Sequence, residues 1–379
     1  LYMIEFILNT KIISGNNALL ELDLSKSKRV SIFTDNNMLK IGACDSTIKL
    51  LKNKNINYEI FSDIEPDPSF EIVIRCLSKI LSFDSDTIIA IGGGSVIDTA
   101  KSVIYFALEV NKRMSDNLKK PIFIAVPTTS GTGSEVTSYA IITDKETHRK
   151  VPLVSNEMLP DIALLDPQFT MTVPPRITAE TGMDVMAHAF ESYVSVNASP
   201  FTMPYSEYAI VGVFNNISKS VHNGKDIDAR IAMHELSCIA GVAFNNAGLG
   251  LIHAMAHALG GRFRQPHGRA NAILMPHVIE YNSKNCEKSA KKYAKVIDLL
   301  NVKNIDDVSA SCEILKHLIL ELNKNIGINQ KITEYGVDKN EFENAIEEMA
   351  LNALKDVCLL TNPVKPSLED VKNIYRKLI

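Results

Sequence analysis

The chain has no tryptophan, no Cys-x-x-Cys pair and no excess of basic residues. Each lack removes a class of function. Without tryptophan, no indole serves as a stacking platform for a ligand. Six cysteines (Cys44, Cys76, Cys238, Cys286, Cys312 and Cys358) are scattered over 379 residues. They form neither a disulfide framework nor a thiolate metal site, and they fit the reduced thiols of a cytoplasmic protein. A net charge of −4 leaves no footprint for nucleic acid and no polybasic patch for a membrane. No apolar run approaches the roughly 20 residues that span a bilayer. Residues Leu1–Leu8 lack a basic lead and run straight into polar sequence, so they do not read as a signal peptide.

What is present is ordinary in amount and specific in arrangement. Apolar residues make up 46% and charged residues 22%, and the length suffices for two domains with large cores. The first part alternates in period. Short β-branched or apolar runs at 29–34, 58–61, 87–91, 121–126 and 162–165 predict strands. Helical spacing over 38–52, 70–81 and from Ser95 to about Leu108 predicts helices between them. Residues 136–144 and 151–154 read as a hairpin excursion. Near-continuous apolar strands alternating with helices imply an α/β domain, a parallel sheet covered on both faces.

From Pro174-Pro175 the pattern turns helical: 178–193, 204–221, 228–247, 249–259, 270–281, 289–300, 307–323, 340–354 and 368–379. Two domains are expected, an α/β domain over 1–167 and an all-α domain over 168–379. A cleft between them would be the natural place for chemistry.

Two small-residue loops end strands of the first domain. Gly92-Gly93-Gly94-Ser95 leads into a helix, and glycines there let a backbone approach an anion at a helix N-terminus. The loop is not the G-x-G-x-x-G fingerprint and follows the third strand rather than the first, so it is not a standard Rossmann turn. Pro127-Thr128-Thr129-Ser130-Gly131-Thr132-Gly133 is the second. Together they point to an anionic, nucleotide-sized ligand. Asp35, closing the first strand, is placed to accept hydrogen bonds from a ribose and to repel a 2′-phosphate, favouring NAD over NADP; it is equally a plain N-cap. Lys150 reads either as a phosphate or ribose contact or as a solvated lysine.

The second domain carries the metal chemistry. Asp184 and His188 lie four residues apart on one helix face, as do His253 and His257. His267 follows in a Pro/Gly turn. Four of nine histidines (253, 257, 267 and 277) fall within 25 residues. Three neutral imidazoles and a carboxylate suit Fe(II), Zn(II) or Co(II). His277 reads as structural.

Gly92-Gly-Gly-Ser-x-x-Asp98-x-Ala-Lys101, Pro127-Thr-Thr-x-Gly-Thr-Gly-Ser-Glu135, Gly182-Met-Asp-x-x-x-His188, and His253-Ala-x-Ala-His257 with Pro266-His-Gly-x-x-Asn271 stand in that order. In these motifs, and in Leu360-Thr-Asn-Pro363, the chain resembles the iron-containing (group III) alcohol dehydrogenases from about residue 10 onward. Within that family it looks most like the 1-propanol dehydrogenases of propanediol-utilising microcompartments. Lactaldehyde reductase and 1,3-propanediol dehydrogenase come next. The resemblance implies the dehydroquinate synthase-like fold, a nucleotide-binding sheet joined to a helical metal-binding domain, and interconversion of alcohols and aldehydes. It implies Asp184, His188, His253 and His267 as ligands of Fe(II), with Zn(II) the alternative. Asp35, Gly93, Gly94, Ser95, Asp98, Thr128, Thr129, Thr132 and Lys150 would line NAD, and His257 would serve catalysis by proton relay or substrate orientation. It further implies a homodimer or larger assembly in the cytoplasm, with packaging in a microcompartment open.

Few charged residues occupy the candidate stretches, so a small uncharged aliphatic alcohol or aldehyde is the expected substrate; Ser138, Tyr139, Val242 and Phe244 are candidates to shape its pocket. Two other readings compete. A lyase of the dehydroquinate synthase type would need basic residues beside the metal, for which Arg262, Arg264 and Arg269 are the nearest. A nucleotide-binding protein without turnover would not need His267.

Overall fold

The structure is a computed structural model that describes residues 3–114, 119–145, 149–302 and 307–379. It divides into two compact units, Leu8–Val173 and Pro174–Ile379, the latter together with the segment up to Ile7. That segment joins the helical unit by reciprocal bonds: Ile7 N donates to Asn246 Oδ1 at 2.6 Å, and Asn246 Nδ2 donates to Ile7 O at 3.0 Å.

The first unit contains strands β1 (Lys11–Ser14), β2 (Arg29–Phe33), β3 (Asn57–Phe61), β4 (Thr87–Gly92), β5 (Ile122–Pro127), β6 (Tyr139–Asp144), β7 (Arg149–Val154) and β8 (Ile162–Leu165). Its helices are α1 (Asn36–Lys40), α2 (Asp45–Asn53), α3 (Phe70–Phe83) and α4 (Gly94–Met114). Six strands form one parallel sheet in the order β1-β8-β5-β4-β2-β3, and β6 pairs antiparallel with β7 as the expected hairpin. The sequence reading missed β1, whose four residues are mostly exposed and carry no buried-strand signature. It pairs in parallel with β8, Lys11 opposite Ile162. The single helix expected over 38–52 is two, broken at residues 41–44.

Both faces of the sheet are covered, and the strands show it in alternation. Ile88, Ala90, Phe123 and Ala125 point into one core with residues of α3 and α4. Ile89, Ile91, Ile124 and Val126 point into another with Leu51 of α2. Helices after β2 and β4 therefore pack on opposite faces. The chain runs from β2 outward to β3, then returns across to β4. The carboxyl ends of β2 and β4 thus flank a topological switch point, where open α/β sheets receive ligands.

The second unit is built from α5 (Pro175–Val194), α6 (Met203–His222), α7 (Ile227–Ala247), α8 (Leu251–Phe263), α9 (His267–Asn285), α10 (Glu287–Leu299), α11 (Val308–Asn325), α12 (Lys339–Ala353) and α13 (Leu368–Arg376). Nearly every residue of α5 from Thr178 to Val194 is buried, so it is a central helix. It packs against α6, α7 and α9. Among the described residues no single helix is long and apolar enough to cross a membrane.

Candidate functional site

In the helical unit, α5 supplies Asp184 and His188, α8 supplies His253 and His257, and α9 supplies His267. The sequence reading set His267 in a turn; it is instead the first residue of α9, with Pro266 as cap, so the helix begins three residues earlier than expected. Gly268 explains how. A Cβ there would lie 2.0 Å from the Glu180 carbonyl oxygen, so only glycine lets the first turn of α9 press onto α5.

The result is a convergence on one oxygen. Asp184 Oδ1 lies 3.4 Å from His267 Nε2, 3.6 Å from His253 Nε2 and 3.9 Å from His188 Nε2. Asp184, His188 and His253 are buried, and their donor atoms lie within 4.8 Å of one another. Asn271 Nδ2 donates to the same Asp184 oxygen at 2.6 Å and lies 3.2 Å from Nε2 of both His253 and His267. Burial alone would raise the Asp184 pKa, but His188 and His267 beside it outweigh that and hold the carboxyl well below its usual range. Three imidazoles and an ionised carboxylate fit a divalent transition metal.

Partners outside this set orient it. Glu191, one turn beyond His188, accepts from Ile252 N at 2.5 Å through Oε1 and meets His253 Nδ1 at 2.5 Å through Oε2. Asn362 Oδ1 accepts from Leu251 N at 3.1 Å. These two side chains satisfy N–H groups that the start of α8 would leave unpaired. Burial disfavours a charged His253, yet Glu191 and Asp184 prevail and raise it to about 9. His188 stacks on Phe244 and on His253, with ring centroids 4.4 and 4.7 Å apart.

His257 is held differently. Its Nδ1 lies 2.8 Å from Asp356 Oδ2, and its ring stacks on His267 with centroids 5.3 Å apart. Asp356 also caps its own 3-10 turn by accepting from Cys358 N at 2.8 Å. Burial pushes the Asp356 pKa up, but the His257 bond more than reverses this, leaving it at about 2. With Asp356 as acceptor, Nδ1 carries the hydrogen and Nε2 keeps its lone pair.

In the sheet unit, Gly93 joins β4 to α4, which opens with Gly94 and Ser95, and Thr128 N donates to Gly92 O at 3.0 Å. The second loop therefore sits against the first. Asp98 Oδ1 accepts from Ser134 Oγ at 2.7 Å and Oδ2 from Ile141 N at 3.0 Å. Thr129 and Thr132 are half-buried, and Thr128 is buried. Asp35 caps α1, accepting from Asn37 N and Met38 N at 2.8 and 3.0 Å through one oxygen. Lys150 lies in an exposed ion pair, 2.8 Å from Asp67.

Sequence reasoning missed Glu191 and Asp356. Glu191 had a signal, since 184, 188 and 191 repeat at helical spacing. Asp356 had none, lying 99 residues from His257.

With the sheet, the helical unit and the clustered donors in place, comparison with known proteins gives the class. The chain belongs to the iron-containing alcohol dehydrogenase family: residues 9–167 match iron-containing alcohol dehydrogenase and residues 178–379 match the family's C-terminal part. It is an oxidoreductase acting between alcohols and aldehydes. It is 38% identical to an NADPH-dependent butanol dehydrogenase of Clostridium saccharobutylicum, covering 98% of this chain and 97% of that one. It is 37% identical to the 1-propanol dehydrogenase PduQ of Citrobacter freundii over the full length of both. The iron-containing alcohol dehydrogenase of Thermococcus thioreducens superimposes with a TM-score of 0.89 at 33% identity, covering 99% of each chain.

Proposed function

We propose that this chain is an Fe(II)- and NAD-dependent dehydrogenase of a small aliphatic alcohol, acting also as reductase of the matching aldehyde. The observation that carries the reading is the meeting of three imidazoles around one oxygen of Asp184. Asp184, His188, His253 and His267 would hold the iron. Gly93, Gly94, Ser95, Asp98, Thr128, Thr129 and Thr132 would receive the dinucleotide, with Asp35 at the ribose and Lys150 reaching a phosphate or ribose once released from Asp67. Bound there, iron supplies Lewis acidity toward the substrate oxygen and nicotinamide supplies or accepts the hydride.

The chain's own residues do the rest. Glu191 and Asn271 orient the ligands. His257, its tautomer fixed by Asp356, offers Nε2 to take up or return the substrate's proton. Phe244, stacked on His188, supplies an apolar wall suited to an alkyl chain.

Likeness to the butanol and 1-propanol dehydrogenases supports a short, uncharged substrate. The family resemblance supports a homodimer or larger assembly in the cytoplasm, and the PduQ likeness raises packaging in a microcompartment. Among the described residues, two of the arginines that the lyase reading would call on are already engaged: Arg269 is bound to Glu180 and stacked on Tyr335, and Arg262 pairs with Glu341.

The test is oxidation of NADH and NADPH by anaerobically purified protein loaded with Fe(II) or Zn(II), against propanal, butanal, lactaldehyde and 3-hydroxypropanal. Iron-dependent turnover of propanal with NADH is expected, and His267→Ala should lose metal and activity together. A preference for NADPH would remove the role given to Asp35. Absence of turnover with any pair, at stoichiometric metal, would sink the reading.

A further inference from the structure

The Cys358 thiol has no part in the steps above, yet it stands beside two groups that do. Asp356 caps the 3-10 turn Val357–Thr361; its Oδ1 accepts from Cys358 N at 2.8 Å and its Oδ2 meets His257 Nδ1 at 2.8 Å. One ligand atom each from His257, Asp356 and Cys358 lies within 4.8 Å of the others, and none of the four proposed iron ligands belongs to this trio. All three side chains are half-buried. Val357 and Leu360 in the same turn are 59% and 80% exposed, so the trio lies near the surface, within reach of an ion in solution. Scattered cysteines exclude a thiolate site that two thiols share, but not one built on a single thiol by the tertiary fold.

An imidazole, a carboxylate and a thiolate are zinc donors, and three protein ligands leave one corner of the tetrahedron for water. The set differs in kind from Asp184, His188, His253 and His267, which offer no sulfur, and a soft thiolate favours Zn(II) over Fe(II). Zinc bonds of about 2.0–2.3 Å put neighbouring ligand atoms about 3.5 Å apart. The 2.8 Å bond from His257 to Asp356 would open and the sulfur would close, by side-chain rotation. The charges sum to zero: one dication, one carboxylate and one thiolate. Burial, and then the Asp356 and Glu191 carboxylates, push the Cys358 thiol well above its usual range, so without a cation the sulfur keeps its proton. Zinc drives that proton into solvent. On His257 the metal takes the Nδ1 lone pair, and the ring hydrogen moves to Nε2.

We propose that His257 Nδ1, Asp356 and Cys358 form a second metal site, for Zn(II), whose occupation stops turnover by removing the Nε2 lone pair of His257. The inhibition rests on the reading of His257 as the proton carrier; the binding does not.

The test titrates Co(II), a spectroscopic substitute for zinc, into the full-length, iron-loaded enzyme, and then Zn(II) into the propanal assay. A sulfur-to-cobalt charge-transfer band saturating at one equivalent, with iron retained, is expected, because the four iron ligands include no thiolate. Cys358→Ser should abolish the band, and Cys286→Ser, a control at another half-buried thiol, should keep it. Zinc should inhibit the wild type. Half-inhibition of Cys358→Ser, measured against its own zinc-free rate, should need over about 100-fold more zinc, beyond the about 10–100-fold effect of losing an outer partner. If Cys358→Ser fails to fold, Asp356→Asn decides by a weakened affinity for cobalt at the same band. Iron retained without the band, or a band that survives in Cys358→Ser, overturns the site. A band with undiminished turnover overturns the inhibition and the proton role of His257 with it. An intact band on a protein that holds no iron would instead sink the Fe(II) reading.

Discussion

Glu191 Oε2 lies 2.5 Å from His253 Nδ1, and both side chains are buried. A carboxylate so placed accepts the hydrogen bond from Nδ1–H, aims Nε2 at Asp184 and raises the basicity of the imidazole. Glu191→Gln keeps the volume and removes the charge. Metal affinity is expected to fall about 10–100-fold, the usual effect of removing such a partner. Competition with a chelator of known affinity measures it. Unchanged affinity would reduce Glu191 to a cap on α8.

Asp356 and His257 call for a separate experiment, because here the proposed role of the carboxylate is to act on a proton rather than on a metal. Asp356→Asn retains a partner for Nδ1 but presents either an amide N–H or a weaker acceptor, and so unsettles the tautomer that keeps the Nε2 lone pair free. Loss of proton relay predicts a kcat lower by about 100-fold, within the range of general acid–base catalysis. Metal content and NADH affinity should hold. A variant with wild-type kcat would show that His257 acts by packing alone.

His277 carries a prediction for stability against pH. It is half-buried on α9, and its Nδ1 has no partner among the described residues. Burial pushes its pKa down to about 4, aided by Lys377, Lys316 and Lys331 and opposed by Glu280. The unfolded chain, with an ordinary imidazole near 6.5, binds a proton over a range in which the folded chain does not. The stability from neutral His277 is therefore present above about pH 6.5 and lost as pH falls toward 4, at no more than about 1.4 kcal/mol per pH unit. His277→Leu should flatten the fall in Tm between pH 6.5 and 4 relative to wild type. Parallel curves for the two proteins would show that His277 contributes no such slope.

The fold was legible where burial is two-sided or periodic. Ile88 to Ile91 and Phe123 to Val126 are apolar on both faces because both faces of the sheet are covered, and that pattern marks a parallel strand in sequence. Strand β1 left no such mark, because it is an exposed edge whose pairing with β8 is backbone to backbone. The break between α1 and α2 was hidden because apolar spacing runs across it. At the site, Asp184 with His188 and His253 with His257 were readable because a helix turns spacing into proximity. His267 was readable as a histidine but not as a helix start, which depends on Gly268 meeting the Glu180 carbonyl, a contact no local pattern encodes. The pairing of Asp356 with His257 depends on residues brought together only by the tertiary fold.

Helix α8 carries two of the site's histidines, and beyond Glu191 the groups that steady it lie far later in the chain. Asp356 holds His257, Asn362 caps the helix, and the Tyr375 hydroxyl donates to the Met255 carbonyl oxygen at 2.7 Å. A nascent chain therefore has all four proposed ligands, of which His267 is the last, about 90 residues before it has Asp356, the first of these later partners. A polypeptide halted between His267 and Asp356 would carry the histidines without the partners that order α8.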